Sequence, residues 1–513
     1  MQRLLNRVAF MISLALLSKN EVIVMSTQSA ETKTPLSKKS KMYYIHSIIG
    51  TAIMFLFGFL PAFDPVTPLG MKFLGIFIGL IYLWSTVDMG WPIFMSFAAL
   101  IVLDCMPATD IYVSAFSNSI VLMCLFTMLV LMPLAETGIF NYVAVWLLKK
   151  PFLKGHPWRL SIGLILLVFL GCVFQGGLAI LFMVYELTYK ICDMCKIERS
   201  HAWAGAIVMG ATLSFIIGGA VFPFTGTPLF FLGIFTSIEA FQWPFAQYIL
   251  FMVLMEIVVV FFYLVFMKLL RVDLTPLKNV DVSGYVKTLA PINDYQKKSA
   301  AMLIIFILCL IVAGIAPNLP ANPVTNIFTK LGLVGISWIF MCIMIIWRLK
   351  DKPAFTLNTM AAKIPWDSVL IICIGMSFGP AITGEGTGIN ELLYQLTAPL
   401  LSGASPFVFC LLISLVTLVL TNFFNNTVIA MLMVSIIAAY TSTLEINVIS
   451  MAAMLIFSSQ LALLVPGASY FAGLAHGQAA HVGRKNGFKW GAVAMISAAI
   501  SLPIMLTVGN ILF

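Results

Sequence analysis

Charge is the scarcest property of this chain. Asp, Glu, Lys and Arg make up 10% of its 513 residues, while 61% are hydrophobic. Soluble domains are about 25% charged and about 45–50% apolar. A water-soluble fold is therefore excluded, because it would have to expose its own core. Lipid is the solvent that fits, and the usual estimate of domain number from length does not apply. The chain has no GxxxxGK[ST], which removes a P-loop pump, and no GxSxG or HExxH, and its five His are scattered. An intramembrane enzyme has nothing to build on, and no catalytic residue is expected. The nine Cys include one formal CxxC, Cys192 and Cys195 around Asp193 and Met194. A metal or redox reading would need a second pair or nearby His ligands, so two thiols at a helix end is the plainer one. The net charge of +9 does not point to nucleic acid. The Lys and Arg sit in short segments between apolar runs, as cytoplasmic loops do.

What the chain has is a succession of apolar segments of spanning length. Spans are expected near 43–62, 69–87, 91–104, 116–136, 203–237, 245–267, 299–316, 332–347, 367–382, 447–481 and 489–511. Two further stretches, 159–192 and 405–440, carry a polar break in the middle, at Phe174–Gly177 and Thr421–Thr427. If both are re-entrant hairpins, the basic loop residues fall on one side and only Lys72 and Lys330 on the other; if either crossed the membrane, the bias would collapse. The positive-inside rule thus favours about eleven spans plus two hairpins, with a cytoplasmic N-terminus in the cell membrane. Upstream, Arg3 and Arg7 precede the apolar Val8–Leu17 without a small-residue cleavage site. Met25 is the more ordinary start, and 26–41 is polar enough to be disordered.

One offset of 250 residues, the distance from Gln175 to Asn425, aligns several landmarks. Phe116–Leu122 meets Trp366–Ile372, and Thr137-Gly138-Ile139 meets Thr387-Gly388-Ile389. The expected organisation is an N-terminal cytoplasmic segment 1–42, a first repeat 43–268 with hairpin 159–192, a hydrophilic linker 269–298, and a second repeat 299–513 with hairpin 405–440. Opposed hairpins in related halves make an inverted repeat, an architecture of many secondary transporters.

In hydrocarbon an unwound backbone must find partners or water, so polar breaks mark function more often than accident. Four stand out: the tips Gly171–Gly177 and Thr421–Thr427, and the interrupted helices that follow, Gly218–Pro228 and Pro466–Tyr470. A half-helix beginning at a break offers free N–H groups and a positive dipole end to an anion. A half-helix ending there offers carbonyls to a small cation such as sodium. The plainer readings are close packing through Gly218-Gly219 and kinks at Pro228 and Pro466. Packing accounts poorly for Asn425-Asn426-Thr427, three polar residues in a row. Two ionisable residues lie within apolar surroundings. Glu256 is read as a proton-coupling carboxylate or, preferably, a protonated Glu hydrogen-bonded to a neighbouring helix, because its span belongs to the scaffold expected outside the hairpins. His476, placed on the inner side after the second break, could titrate near neutrality.

Over roughly residues 43–513 the chain resembles the divalent anion–sodium symporter family of the ion transporter superfamily. That family carries a Ser-Asn-Thr triplet at each hairpin tip and a Gly-Thr-Pro-type break in each following helix. Asn425-Asn426-Thr427 matches one triplet, with Asn in place of Ser, and Gly226-Thr227-Pro228 matches one break. Gln175-Gly176-Gly177, Gly171 and Pro466-Gly467-Ala468-Ser469 depart from the pattern. The resemblance implies an all-α polytopic transporter of di- or tricarboxylate-like anions, working as a homodimer by elevator-type alternating access, through cation symport or anion exchange. It implies a substrate site at Gln175, Gly176, Gly177, Thr225, Gly226, Thr227, Asn425, Asn426, Thr427, Gly467 and Ser469. It also implies sodium ligands at Thr421 and Asn426, with sodium as the one candidate cofactor. The alternatives are a carrier of another small solute, an ion channel, or a non-transporting membrane scaffold.

Overall fold

The computed structural model describes residues 41–135, 137, 142, 155–173, 177–223, 228, 231, 235, 243–278, 292–349, 352–364, 366–383, 386–401, 403–441 and 443–513. The segment 1–24 lies outside them, as do Gln175, Gly176, Thr225, Gly226 and Thr227 of the expected site.

The described residues are helical, apart from turns, two-residue strands Arg348–Leu349 and Lys352–Pro353, and loops. In chain order the first-half helices are α1 (Lys41–Leu56), α2 (Pro68–Thr86), α3 (Trp91–Val102), α4 (Ala108–Phe116), α5 (Ser119–Ala135), α6 (Pro157–Val173), α7 (Gly177–Met194), α8 (Ala202–Gly219) and α9 (Phe245–Leu269). The second half contains α10 (Asp294–Ile315), α11 (Pro323–Ile346), α12 (Leu357–Ala361), α13 (Trp366–Thr383), α14 (Ile389–Leu401), α15 (Pro406–Leu420), α16 (Asn426–Tyr440), α17 (Val448–Gln460), α18 (Tyr470–Gly477), α19 (Ala479–Val482) and α20 (Arg484–Leu512). Several starts are written locally. Asn293 with Gln296, and Asn322 with Thr325, form capping boxes before α10 and α11. Ser405 caps α15, whose first residue is Pro406.

Among the described residues seven helices are long and apolar enough to cross a bilayer, or eight if the pair bent by 43° at residues 117–118 is one span. Of the eleven segments read from hydropathy, 91–104 yields the 12-residue α3 and 367–382 the short apolar run Val369–Phe378. The stretch 203–237 yields α8, one of the seven, which stops at Gly219, and 447–481 divides into α17 and α18. At about 1.5 Å per residue, α6, α15 and α16 are each about 22–26 Å long, short of a hydrocarbon core of about 30 Å. Outer faces carry exposed Ile304, Ile305, Leu308, Trp338, Ile339, Ile343, Val416 and Val419, as lipid-facing helices do. A groove lined by Lys330, Trp338, Ile339 and Ile343 runs along α11 on such a face and not near the breaks.

The chain forms two compact units, 1–111 with 384–392, and 112–383 with 393–513. The repeats are thus units of sequence rather than of compactness. In the first unit the Thr67 hydroxyl accepts from Gly70 N–H to cap α2 and donates to the Gly386 carbonyl at 2.7 Å. Gly388, at φ 67°, lies against Pro65 so closely that no Cβ would fit.

The second unit holds both hairpins. Trp203 near the start of α8 donates to Ser161 near the start of α6 at 2.9 Å, and Gly218 at the end of α8 packs on Phe169 and Cys172 near the end of α6. These two helices therefore run parallel. α7 leads into α8 through residues 195–201 and its Tyr185 meets Thr212, so α7 runs opposite to both, and α6–α7 is a hairpin. In the second half the end of α15 lies beside the end of α17, through Thr421 and the Leu461 carbonyl. α16 joins α17 through residues 441–447, so α15–α16 is a hairpin as well. Helix α20 shows that the two are opposed. Gly205 of α8 lies against Asn486 and Trp490 at the start of α20, whereas Ser450 of α17 lies against Gly509 near its end. Those contacts are about 35 Å apart at about 1.5 Å per residue. The offset of 250 thus carries α6, α7 and α8 approximately onto α15, α16 and α17, inverted. At the end where α6 and α8 begin stand Lys190, Lys196, Arg199, Lys268, Arg271, Arg484 and Lys485, whereas 406–460 holds neither Lys nor Arg.

Candidate functional site

Helix α8 is the axis of the site. It is buried nearly throughout, and its Phe215 stacks on Phe471 at the start of α18, with ring centroids 4.9 Å apart. The first and second helix breaks are thereby brought near each other. Packing explains part of the first break. A Cβ on Gly218 would stand 2.8 Å from the Phe169 carbonyl oxygen, so the close-packing reading of this glycine holds. The Tyr248 hydroxyl donates to the Ala220 carbonyl at 2.8 Å, taking up an acceptor released where α8 ends. Gly177 is the first residue of α7.

The second break is more fully described. Asn425 is the N-cap of α16, its Oδ1 accepting from the Thr427 N–H at 2.9 Å and from the Val428 N–H at 3.4 Å. The cap occupies two of the amide groups that an anion would otherwise use. Asn426 is the first helical residue, and its Oδ1 is buried with no hydrogen-bond partner among the described residues. Thr421 is wholly buried and its hydroxyl donates to the carbonyls of Leu418 at 3.2 Å and Leu461 at 3.4 Å. Ser469 bridges the break: it accepts from Ala472 N–H at 3.0 Å, capping α18, and donates to the Ala462 carbonyl at 2.8 Å. Gly467 lies in the turn after Pro466, closed by Ala468 N–H donating to the Val465 carbonyl at 3.0 Å. Of the expected second-half residues, Thr421, Asn425, Asn426, Thr427, Gly467 and Ser469 all belong to this tip and break.

Two residues that hold the break were not expected to do so. Asn422 is 2% exposed; its Oδ1 accepts from Leu464 N–H at 2.8 Å and its Nδ2 donates to the Leu418 carbonyl at 2.8 Å. His476 bonds the Leu463 carbonyl through Nε2 at 3.1 Å. The signal for Asn422 was present, since Asn beside Thr421 is as costly in lipid as the triplet itself.

Glu256 sits on α9, outside both hairpins, and α9 packs directly on α8 and α20. It is 1% exposed, with Oε1 accepting from the Ser214 hydroxyl of α8 at 2.5 Å and Oε2 unpartnered among the described residues. The hydrogen bond to a neighbouring helix is the one expected. Gly171 is a packing glycine: a Cβ there would collide with Ile180 across the hairpin.

An all-helical membrane protein with opposed hairpins, each beside an interrupted helix, defines a class: a multi-pass membrane transporter. The family model described as citrate transporter matches residues 74–459. The chain belongs to that citrate transporter family, which is related to the ion transporter superfamily. The family supports a secondary transporter of small organic anions. Among curated proteins the comparison finds no match.

Proposed function

We propose that this protein carries citrate-like di- and tricarboxylates across the cell membrane, binding them at the two hairpin tips and breaks of the second compact unit. The observation that carries this reading is the tip of the second hairpin. There a buried Asn426 oxygen, unpartnered among the described residues, a buried Thr421 and the half-helix starts of α16 and α18 converge on one interruption. No Lys or Arg lies in 406–469, so half-helix N–H groups are the recognising charge, as at other helix N-termini. Binding then has to share or displace the Asn425 cap. By the resemblance to divalent anion–sodium symporters, Gln175, Gly176, Gly177, Thr225, Gly226 and Thr227 complete the site from the first half.

The donor set at the second tip fits a small hard cation. It offers hydroxyl, amide and carbonyl oxygens, and the Asn426 oxygen lacks a donor among the described residues. Thr421 and Asn426 would hold sodium there, as part of cation symport; anion exchange is the alternative coupling. The basic end of the second unit is assigned to the cytoplasm with the N-terminus. Homodimerisation and elevator movement of the hairpins complete the reading.

The test is uptake of radiolabelled citrate into proteoliposomes, with sulfate, amino acids and neutral sugars as competitors and with sodium varied. Saturable citrate uptake, inhibited by carboxylates and not by sugars, supports the reading. Conductance far above carrier turnover, or a neutral solute as the only one carried, overturns it.

A further inference from the structure

The second break leaves its backbone groups in need of partners, and one is supplied from outside the tip. His476, near the end of α18, is 7% exposed, and its Nε2 lies 3.1 Å from the Leu463 carbonyl, thirteen residues earlier and inside the break. A carbonyl only accepts, so Nε2 carries the proton of this hydrogen bond.

The seat for this arrangement is built by α20. A Cβ on Gly487 would lie 3.1 Å from His476 Nδ1, and a Cβ on Gly491, one turn later, would lie 2.6 Å from the Leu463 oxygen. Phe488 stacks on the imidazole with ring centroids 5.1 Å apart. The two glycines, four residues apart on one face, thus leave room for both members of the hydrogen bond. Any larger residue at 487 would push the ring, and any at 491 would push the carbonyl. On the other flank Asn422 holds the next residue, Leu464, by its N–H. The backbone at 463–464 is therefore clamped from two sides by two side chains.

We infer that His476, seated on Gly487 and Gly491 of α20, is a positioning residue of the solute site: it fixes the Leu463 carbonyl and with it the shape of the second break. The inference rests on the proposed role of that break in solute binding. His476 itself touches no solute; it acts through the backbone it holds.

The experiment uses the full chain in proteoliposomes, with citrate influx and hydrogen–deuterium exchange over 461–469 measured on the same preparations. His476→Ala loses the donor, and KM for citrate is expected to rise about three- to tenfold with little change in Vmax. Exchange over 461–469 is expected to quicken. His476→Gln places an amide N–H near the position of Nε2, and KM and exchange return to within about twofold of wild type. Gly491→Ala leaves His476 intact but displaces the carbonyl; it is expected to reproduce the KM and exchange changes of His476→Ala. Equal losses of Vmax in His476→Ala and His476→Gln, with unchanged KM, would show a packing role only and overturn the inference. Unchanged exchange in both His476→Ala and Gly491→Ala overturns it too. If wild type carries no citrate, the proposed function fails, while the exchange arm still decides whether His476 holds the break.

Discussion

Asn422 gives the sharpest test of how the second break is held. Asn422→Ala removes two hydrogen bonds of 2.8 Å, one from Leu464 N–H and one to the Leu418 carbonyl. The two losses are unequal. The Leu418 carbonyl keeps the Thr421 hydroxyl at 3.2 Å, so little is lost there. The Leu464 N–H has no other acceptor among the described residues and lies within the break, where an unsatisfied donor costs about 1–3 kcal/mol. A central figure of about 2 kcal/mol corresponds to about thirtyfold in an equilibrium constant. If the break relaxes on losing the bond, part of this appears as lower solute affinity and part as lower stability. The expected result is a KM for citrate raised between about three- and thirtyfold, with a thermal midpoint lowered by a few degrees. Proteoliposome uptake and intrinsic tryptophan fluorescence on heating measure the two. Asn422→Asp separates the donor from the acceptor. The carboxylate can still accept from Leu464, but it turns a second oxygen toward the Leu418 carbonyl in a buried place, so it should be worse than Ala. Wild-type KM and midpoint in Asn422→Ala, or wild-type behaviour in Asn422→Asp, would refute the argument.

Asn426 should behave in the opposite way: its Oδ1 has no partner among the described residues to lose, so Asn426→Ala is expected to abolish citrate uptake while leaving the thermal midpoint within about a degree. A midpoint loss as large as that of Asn422→Ala would assign it a structural role instead. Gly171→Ser, which would restore a polar residue of the family pattern, forces a side chain into Ile180; it should lower stability without adding a second sodium site. A Hill coefficient for sodium clearly above about 1.5, in the variant or in wild type, would contradict this. Single Cys placed at Lys278, in the basic loop after α9, should be labelled only from the cytoplasmic side; labelling by an impermeant reagent on intact cells would reverse the topology.

Composition alone made this an all-helical membrane protein, because a chain with so few charges can satisfy its surface only in lipid. The breaks were also legible, since Thr421–Thr427 and Pro466–Tyr470 are polar or helix-disrupting within otherwise apolar runs. The opposed hairpins followed from a repeat offset and a charge bias, and the contacts of α8 and α17 at opposite ends of α20 agree with both. Partner choice was not legible. Hydropathy records how much a segment prefers lipid to water, and says nothing about which carbonyl a side chain meets forty residues away. So Thr421 was singled out and its neighbour Asn422, which holds Leu464, was passed over. Gly171 read as a lost ligand until packing placed Ile180 against it. For Glu256 a hydrogen bond to a neighbouring helix was legible, but not its partner, Ser214 of α8. His476 looked like an isolated titratable group near the inner face; only the tertiary fold turned its Nε2 onto the Leu463 carbonyl and set its ring on Gly487. Each of these depends on how helices distant in sequence pack, and helix packing is decided by shape complementarity along whole faces, which no local pattern of residues records.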